Sequence, residues 1–274
     1  MHKARPTVAD KRRAFHQMHE SGCFAIPNPW DVGSALYLQS LGFKALATTS
    51  SGFAWSQGRP DGGMSRDQVL AHLNGMVAAT DVPVNADFES GFARTAGEVA
   101  DSVALAVQSG VAGLSIEDST GIADDPLFDV DTAVERIRAA RQAIDRAGGD
   151  TLLVGRAECF LVGRPDLQET IVRLQAYANA GADCLYAPGI STREQIAAVV
   201  EAVAPKPVNV LIWGGFLPLA ELQELGVRRL STGGGLASNA WGGAMRAAAD
   251  LAAGSFEGLN GAVKSADIVR SFAG

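Results

Sequence analysis

Short apolar runs alternate with amphipathic segments along most of this chain. The short runs predict buried strands, and the segments between them carry apolar residues at helical spacing and often end in glycine. DTAVERIRAARQAIDRAG is one such helical segment. The strand candidates, in chain order, are CFAIPN, KALATTS, PVNADFE, GLSIEDS, TLLVGRAE, CLYAPG, PVNVLI and RRLSTG.

Strands that alternate with helices predict a parallel sheet, and eight such units predict an α/β fold of the closed (β/α)8 (TIM) barrel type. We expect one domain over residues 1–274, with the barrel at about 23–253. A helix at roughly 7–21 precedes the barrel, and a C-terminal helical arm at 255–274 follows it. The strand-to-helix loops are longer and more polar than the opposite connectors, and enzymes of this fold work at that end.

Composition limits the range of partners. A hydrophobic content of 47% suits a globular protein, and a net charge of −7 argues against nucleic acid as a ligand. No apolar stretch is long enough to span a membrane, and no apolar segment follows the charged N-terminus as in a secretory signal. Three cysteines without a CxxC pair are typical of a reduced, cytoplasmic protein. We therefore expect a cytoplasmic protein with a small-molecule partner.

Acidic side chains follow several predicted strands. Residues i and i+2 of a strand face the same side, so we expect Asp87 and Glu89 to share a direction. Carboxylates that converge at one barrel mouth repel each other unless a cation lies between them, and all-oxygen ligands favour Mg²⁺ or Mn²⁺ over Zn²⁺. The alternative is that these acids pair with arginines or cap helices. The candidate metal ligands are Asp61, Asp87, Glu89 and Glu117.

Arg156 lies at the end of the fifth predicted strand, beside this acidic group. A guanidinium binds a carboxylate through two parallel hydrogen bonds, so metal and arginine together suit a small 2-oxo acid. The alternative is a purely structural ion pair of Arg156 with Glu158 or Glu117.

Several other catalytic mechanisms need histidine or lysine residues that this sequence does not place at the strand ends. None of the four histidines falls at a predicted strand end, which argues against serine or cysteine triads and histidine-bound zinc. Lys44 and Lys206 precede strands, at the wrong face for Schiff-base chemistry. A phosphate-binding loop remains as an alternative, because STGGG at 231–235 follows the eighth strand, where barrels often bind phosphate. Close packing explains those glycines equally well.

An ordered set of motifs resembles the isocitrate lyase/phosphoenolpyruvate mutase superfamily over about residues 23–250. The motifs are PNPWDVGSA, ATTSSGFAWSQGRPDG, VNADFESGF, GLSIEDS, VGRAE and PVNVL. The resemblance implies a Mg²⁺-dependent barrel, with Mn²⁺ as the alternative metal, that acts on 2-oxo acids through an enolate. It also implies a homodimer or homotetramer whose C-terminal helix is exchanged between subunits.

The same resemblance implies roles for individual residues. Asp87 matches the most direct metal ligand, while the other three acids would act largely through water. We expect Arg156, Asp61 and Glu117 to take part in catalysis. The expected substrate-binding residues are Trp30, Asp31, Ser50, Ser51, Gly52, Arg156 and Asn209.

The loop after the fourth strand departs from the family pattern. It reads STGIADDPLFD and lacks the Lys-Lys-Cys-Gly-His motif of the lyases and the Lys and Asn of the mutase. Decarboxylation needs least from such a loop, because CO₂ leaves by itself and a metal stabilises the enolate. The sequence favours a Mg²⁺-dependent lyase or decarboxylase acting on a small 2-oxo (or 2-hydroxy) di- or tricarboxylic acid. The alternatives are a phosphonate P–C bond enzyme and a barrel that binds a 2-oxo acid without turning it over.

Overall fold

The computed structural model describes residues 4–272 and confirms the predicted α/β barrel. Eight parallel strands form one sheet, and each coincides with one of the predicted runs. The strands are β1 (Phe24–Ile26), β2 (Leu46–Ala47), β3 (Val84–Asp87), β4 (Gly113–Glu117), β5 (Leu152–Arg156), β6 (Cys184–Tyr186), β7 (Val208–Leu211) and β8 (Arg229–Ser231).

The sheet closes on itself. Its strand order is β1-β8-β7-β6-β5-β4-β3-β2, and β1 pairs in parallel with β8, with Phe24 opposite Arg229. At the remaining seam, the Ala47 amide donates a hydrogen bond of 3.1 Å to the carbonyl of Pro27, just after β1. All strand C-termini therefore meet at one end, which we call the upper end.

Helices surround the sheet in the alternation that the sequence predicts. The helix at roughly 7–21 is confirmed, since it runs from Val8 and is capped by the Thr7 side chain. The helices are α1 (Val8–Glu20), α2 (Val32–Ser40), α3 (Ser50–Ser56), α4 (Arg66–Ala79), α5 (Ala96–Gln108), α6 (Val130–Arg146), α7 (Leu167–Asn179), α8 (Arg193–Val203), α9 (Leu219–Glu224), α10 (Gly235–Ala252) and α11 (Ser265–Ser271).

Helix α1 closes the lower end of the barrel. Its Phe15 is fully buried and packs in one apolar cluster with Ile26 and Leu152 from the strands. A larger apolar cluster lies between the strands and the surrounding helices. The space left at the upper end is consequently where polar groups can gather.

The C-terminal arm is confirmed as helical but packs little against its own barrel. It consists of a 3₁₀ helix (Glu257–Gly261) and α11, neither of which has a buried residue, and it follows α10, in which Ala237 is buried. Helix α11 packs near α2 of the same chain. Exchange of the arm between subunits stays a prediction. No helix within residues 4–272 has the length and apolar character needed to cross a bilayer.

Candidate active site

A cavity of about 150 Å³ opens at the upper end of the barrel. Its wall comes from the ends of most strands and from the loops that follow them, as this fold requires. Of the residues we expected at the site, Ser50, Ser51, Asp61, Asp87 and Arg156 line this cavity. The structure thus brings together residues that are up to about a hundred positions apart in the chain.

The start of α3 joins the ends of β2 and β3. Thr49 caps α3, and the backbone amide of Ser50 donates a hydrogen bond of 3.0 Å to Oδ2 of Asp87. The amide of Asp87 itself donates to the Thr48 hydroxyl at 2.9 Å. These contacts hold the Asp87 carboxylate against the helix N-terminus, where partial positive charge stabilises an anion.

Arg156 is surrounded by three carboxylates. Its Nη1 lies 3.2 Å from Oδ1 of Asp87 and 3.2 Å from Oε2 of Glu117, while its Nε donates to Glu158. Its guanidinium also lies 5.3 Å from the centre of the Tyr186 ring. Both ion pairs that the sequence left as alternatives, with Glu158 and with Glu117, are therefore present. The same arginine remains on the cavity wall, within reach of a ligand.

Negative charge exceeds positive charge around Arg156. Desolvation raises the pKa of Glu117 well above its usual range, although Arg156 opposes that shift. Desolvation also raises the pKa of Glu89 to about 8, and the charges of Asp87 and Asp61 add to that effect. One guanidinium does not neutralise this set of carboxylates, so the site favours a further cation or bound protons.

Glu89 reaches this region by a route that the strand pattern did not predict. Strand β3 ends at Asp87, and Glu89 has a left-handed φ of 48°. We expected the two acids to face the same side because residues alternate along a strand. That reason is wrong, because Glu89 lies beyond the end of β3. A turn brings Glu89 near the other acids instead, as the effect of Asp87 and Asp61 on its pKa indicates. Left-handed backbone at a non-glycine residue is strained and is often found at functional sites.

A buried network supports the Arg156 cluster from behind. Asp118 is 2% exposed, and its Oδ2 accepts hydrogen bonds from the Tyr177 hydroxyl at 2.6 Å and from Arg173 at 3.0 Å. Its Oδ1 accepts a hydrogen bond of 2.8 Å from the backbone amide of Glu158. Asp118 therefore has a structural role, holding the turn after β5 in place.

Four of the expected substrate-binding residues do not line this cavity. Asp31 caps α2, accepting a hydrogen bond from Ser34, and Trp30 packs close to Gly52 at the start of α3. Asn209 is fully buried and donates a hydrogen bond of 2.9 Å to Ser231. Direct substrate contact by Trp30, Asp31, Gly52 and Asn209 stays a prediction.

Several polar residues of the cavity, including the charged Arg229, were missed by sequence reasoning. A usable signal was present, because Asn85 precedes Asp87 by two positions and Ser115 precedes Glu117 by two, and alternate strand residues face one side. The same spacing relates Arg229 to Ser231 on β8. The missed residues that line the cavity include Asn28, Thr48, Asn85, Ser115, Tyr186, Arg229 and Ser231.

The acids fit a hard divalent cation in donor type and in charge, since all are oxygen ligands with uncompensated negative charge. Their side-chain positions are not a ready coordination shell. Within residues 4–272, no group of three or more His, Cys, Asp or Glu side chains is arranged to hold a metal ion. Arg156 is the cation that lies against Asp87 and Glu117 in this structure.

The loop after β4 lies beside the mouth and is acidic. A short antiparallel bridge joins Ser119 to Leu127, so the loop forms a small hairpin-like turn. Asp124 and Asp125 lie on its exposed part. The position of the STGGG segment is consistent with the alternative of a phosphate site after β8, because Gly233 and Gly234 line the cavity. Close packing also accounts for Gly234, whose added Cβ would lie 2.7 Å from the Ser51 hydroxyl.

Comparison with known proteins agrees with this arrangement. Residues 15–252 match the family model described as phosphoenolpyruvate phosphomutase. A crystal structure from Burkholderia cenocepacia J2315, provisionally described as a lyase/mutase, is 48% identical, with a TM-score of 0.94 over 97% of this chain and 98% of that one.

Two curated relatives carry specific activities. The 2-methylisocitrate lyase of Escherichia coli strain K12 is 31% identical over 71% of this chain and 67% of its own length. The oxaloacetate decarboxylase of Paraburkholderia xenovorans LB400 is 27% identical over 82% of this chain and 75% of its own length. Members of the superfamily are generally dependent on a divalent metal. With its closed barrel, its acidic cavity and these matches, the chain is an enzyme of the isocitrate lyase/phosphoenolpyruvate mutase superfamily.

Proposed function

We propose that this enzyme is a Mg²⁺-dependent lyase or decarboxylase that acts on a small 2-oxo (or 2-hydroxy) di- or tricarboxylic acid. The observation that carries the proposal is the position of Arg156 on the wall of a small cavity, among acids whose charge it only partly balances. A guanidinium and a cation are together suited to a chelating, anionic 2-oxo acid.

The chain's own residues have separable tasks in this proposal. The candidate ligands for the cation are Asp61, Asp87, Glu89 and Glu117, with Asp87 as the most direct one. A bound Mg²⁺ would supply Lewis-acid stabilisation of negative charge on the 2-oxo group. Arg156 binds the carboxylate next to that group, and the amides at the start of α3 add hydrogen bonds to it. In this structure one of them, the Ser50 amide, is hydrogen-bonded to Asp87.

The composition of the loop at 119–129 favours carbon–carbon cleavage that needs little proton transfer. It contains no lysine, histidine or cysteine, so it lacks the usual carriers of a proton at neutral pH. Loss of CO₂ from a 3-carboxy-2-oxo acid does not require a protein base to remove a proton from carbon. The activity of the Paraburkholderia relative supports the same direction.

A phosphonate P–C bond enzyme is the second candidate. Gly233 and Gly234 favour it, because they line the cavity at the N-terminus of α10, where backbone amides suit an anion. The acidic loop argues against it, since a migrating phosphoryl group needs positive charge around it.

We also propose that the enzyme is a homo-oligomer. The C-terminal arm and α10 expose large apolar side chains that a monomer would leave in water. They include Trp241, Met245, Phe256, Val263 and Val269. A second copy of the chain would cover this surface.

The experiment is incubation of the purified enzyme with Mg²⁺ and, separately, oxaloacetate, 2-methylisocitrate, isocitrate and phosphonopyruvate. CO₂ release from oxaloacetate, abolished by a chelator, supports the decarboxylase. Release of a 2-oxo acid and succinate from a 2-hydroxy tricarboxylate would show that the loop does not prevent lyase chemistry. Phosphate or phosphoenolpyruvate from phosphonopyruvate supports the second candidate. Tight binding without any product would contradict both.

A further inference from the structure

Arg229 is a buried cation in the centre of the barrel. It begins β8, is 2% exposed, and points into the interior. Its Nε donates a hydrogen bond of 2.9 Å to Oδ1 of Asn209 on β7, and its Nη1 donates one of 3.3 Å to Oδ1 of Asn85 on β3. The guanidinium therefore bridges two strands that are not neighbours in the sheet.

No carboxylate within residues 4–272 forms an ion pair with Arg229. The neutral groups around it include Cys184 and Tyr186, and His19 lies near enough that the Arg229 charge lowers its pKa. Burial without a counter-charge lowers the pKa of Arg229 itself. Barrel interiors are usually filled by branched apolar side chains, and a buried charge without a partner is strongly destabilising. A negatively charged group bound next to Arg229 would therefore be stabilised.

The cavity places such a partner within reach. Arg229 lines the same cavity as Arg156 and Ser50, below them and beside the neutral side chains of Ser115 and Ser231. The carboxylates of the site are gathered at the opposite, upper part of the wall, around Arg156. The cavity thus has an acidic rim and a cationic floor.

The backbone makes room for this floor. An added Cβ at Gly113 would lie 2.7 Å from Oδ1 of Asn85 and 2.7 Å from the Phe15 ring. Real Cβ atoms do not approach other atoms so closely, and overpacking of this kind is destabilising. The glycine therefore allows Asn85 to lie in the interior, where it holds Arg229.

We propose that Arg229 binds a second carboxylate of the substrate, so that the site selects dicarboxylic over monocarboxylic 2-oxo acids. This inference rests on the proposed function, because Arg156 and the start of α3 hold the 2-oxo acid end of the same molecule. A guanidinium already oriented by two amide oxygens can bind a carboxylate with its remaining N–H groups. Arg229 is then a specificity-determining residue of the cavity floor.

The test is a pair of matched probes measured by isothermal titration calorimetry in buffer with Mg²⁺. The probes are 3,3-difluorooxaloacetate and 3,3-difluoropyruvate, which differ by one carboxylate. For Arg229→Gln we expect the Kd of the dicarboxylate to rise at least tenfold and that of the monocarboxylate to stay within twofold. Arg228→Gln is the matched control, because it removes the neighbouring charge, which instead binds the Gly22 carbonyl, and should change neither Kd.

Asn209→Asp provides a second variant that keeps the arginine. It places a carboxylate next to the guanidinium with almost no change of shape, so it should remove the preference for the dicarboxylate even if Arg229→Gln does not fold. An equal loss of affinity for both probes, or an unchanged preference for the dicarboxylate in these variants, would overturn this inference. The proposed function would still stand in either case. A wild-type enzyme that binds neither probe would overturn the proposed function as well.

Discussion

Asp118 and Glu158 connect the ends of two neighbouring strands, since Oδ1 of Asp118 accepts a hydrogen bond of 2.8 Å from the backbone amide of Glu158. The same carboxylate binds Arg173 and Tyr177 through its other oxygen. It thereby fixes the turn from which Glu158 reaches Arg156. The geometry of the cavity wall depends on a group that never faces the cavity.

Replacement of Asp118 by Asn should therefore destabilise the fold by about 1.5–3 kcal/mol, because Arg173 keeps its ion pair with Glu169 but loses a charged hydrogen-bond partner. Tyr177→Phe should cost less, about 1–2 kcal/mol, since it removes one hydrogen bond to the carboxylate. Urea unfolding measures both values. The exposed Asp124→Asn is the control, and a cost for Asp118→Asn no greater than that control would contradict the structural role.

Arg156→Met should destabilise the enzyme by about 3–5 kcal/mol at pH 8, because Glu117 and Glu158 lose their cation. The cost should shrink toward pH 5. Desolvation already raises the pKa of Glu117, and the loss of Arg156 raises it further, so the carboxyl binds a proton more readily as the pH falls. Thermal unfolding across this pH range measures the effect. A cost that does not vary with pH would show that the charge balance described here is wrong.

Glu89→Gln should raise Tm at pH 8 by several degrees in metal-free buffer and have little effect near pH 4.5. The folded protein holds a proton on Glu89 up to about pH 8, whereas the unfolded chain releases it near pH 4.5. Stability from this group is thus complete below about pH 4.5 and is lost as the pH rises toward 8. The converse result, a lower Tm at pH 8 in the variant, would mean that Glu89 has a stabilising partner.

Asp87→Asn should lower kcat/KM by about 10²-fold or more and remove the increase in Tm that Mg²⁺ gives the wild type. Asp87 is central here because it contacts both Arg156 and the start of α3. Scanning fluorimetry with and without Mg²⁺ is a readout independent of turnover, and Asp125→Asn is the control. Unaltered turnover and chelator sensitivity would exclude a metal at this position.

Met245→Glu should shift the enzyme toward smaller species in sedimentation velocity. Met245 is 65% exposed on α10, and a charge there would have to be buried in an interface between copies. Val172→Glu, which places the same charge on an exposed apolar position of α7, is the control. An unaltered sedimentation coefficient, or a monomeric wild type, would exclude α10 as the subunit interface.

The amino-acid sequence by itself determined the barrel. Apolar runs such as PVNVLI and helices with apolar faces are local patterns, and eight alternations leave few ways to bury them. It also determined which residues stand at the upper end, because Asp87 and Arg156 end their strands.

Only the tertiary structure decided how those residues face one another. Arg156 meets Asp87 and Glu117 from two other strands, Glu89 arrives by a left-handed turn, and Asn209 contacts Arg229. No pattern of sequence neighbours encodes these contacts, because they depend on how a closed barrel brings the side chains of different strands into one interior. The balance of charge in that interior, on which the chemistry depends, is therefore a property of the fold.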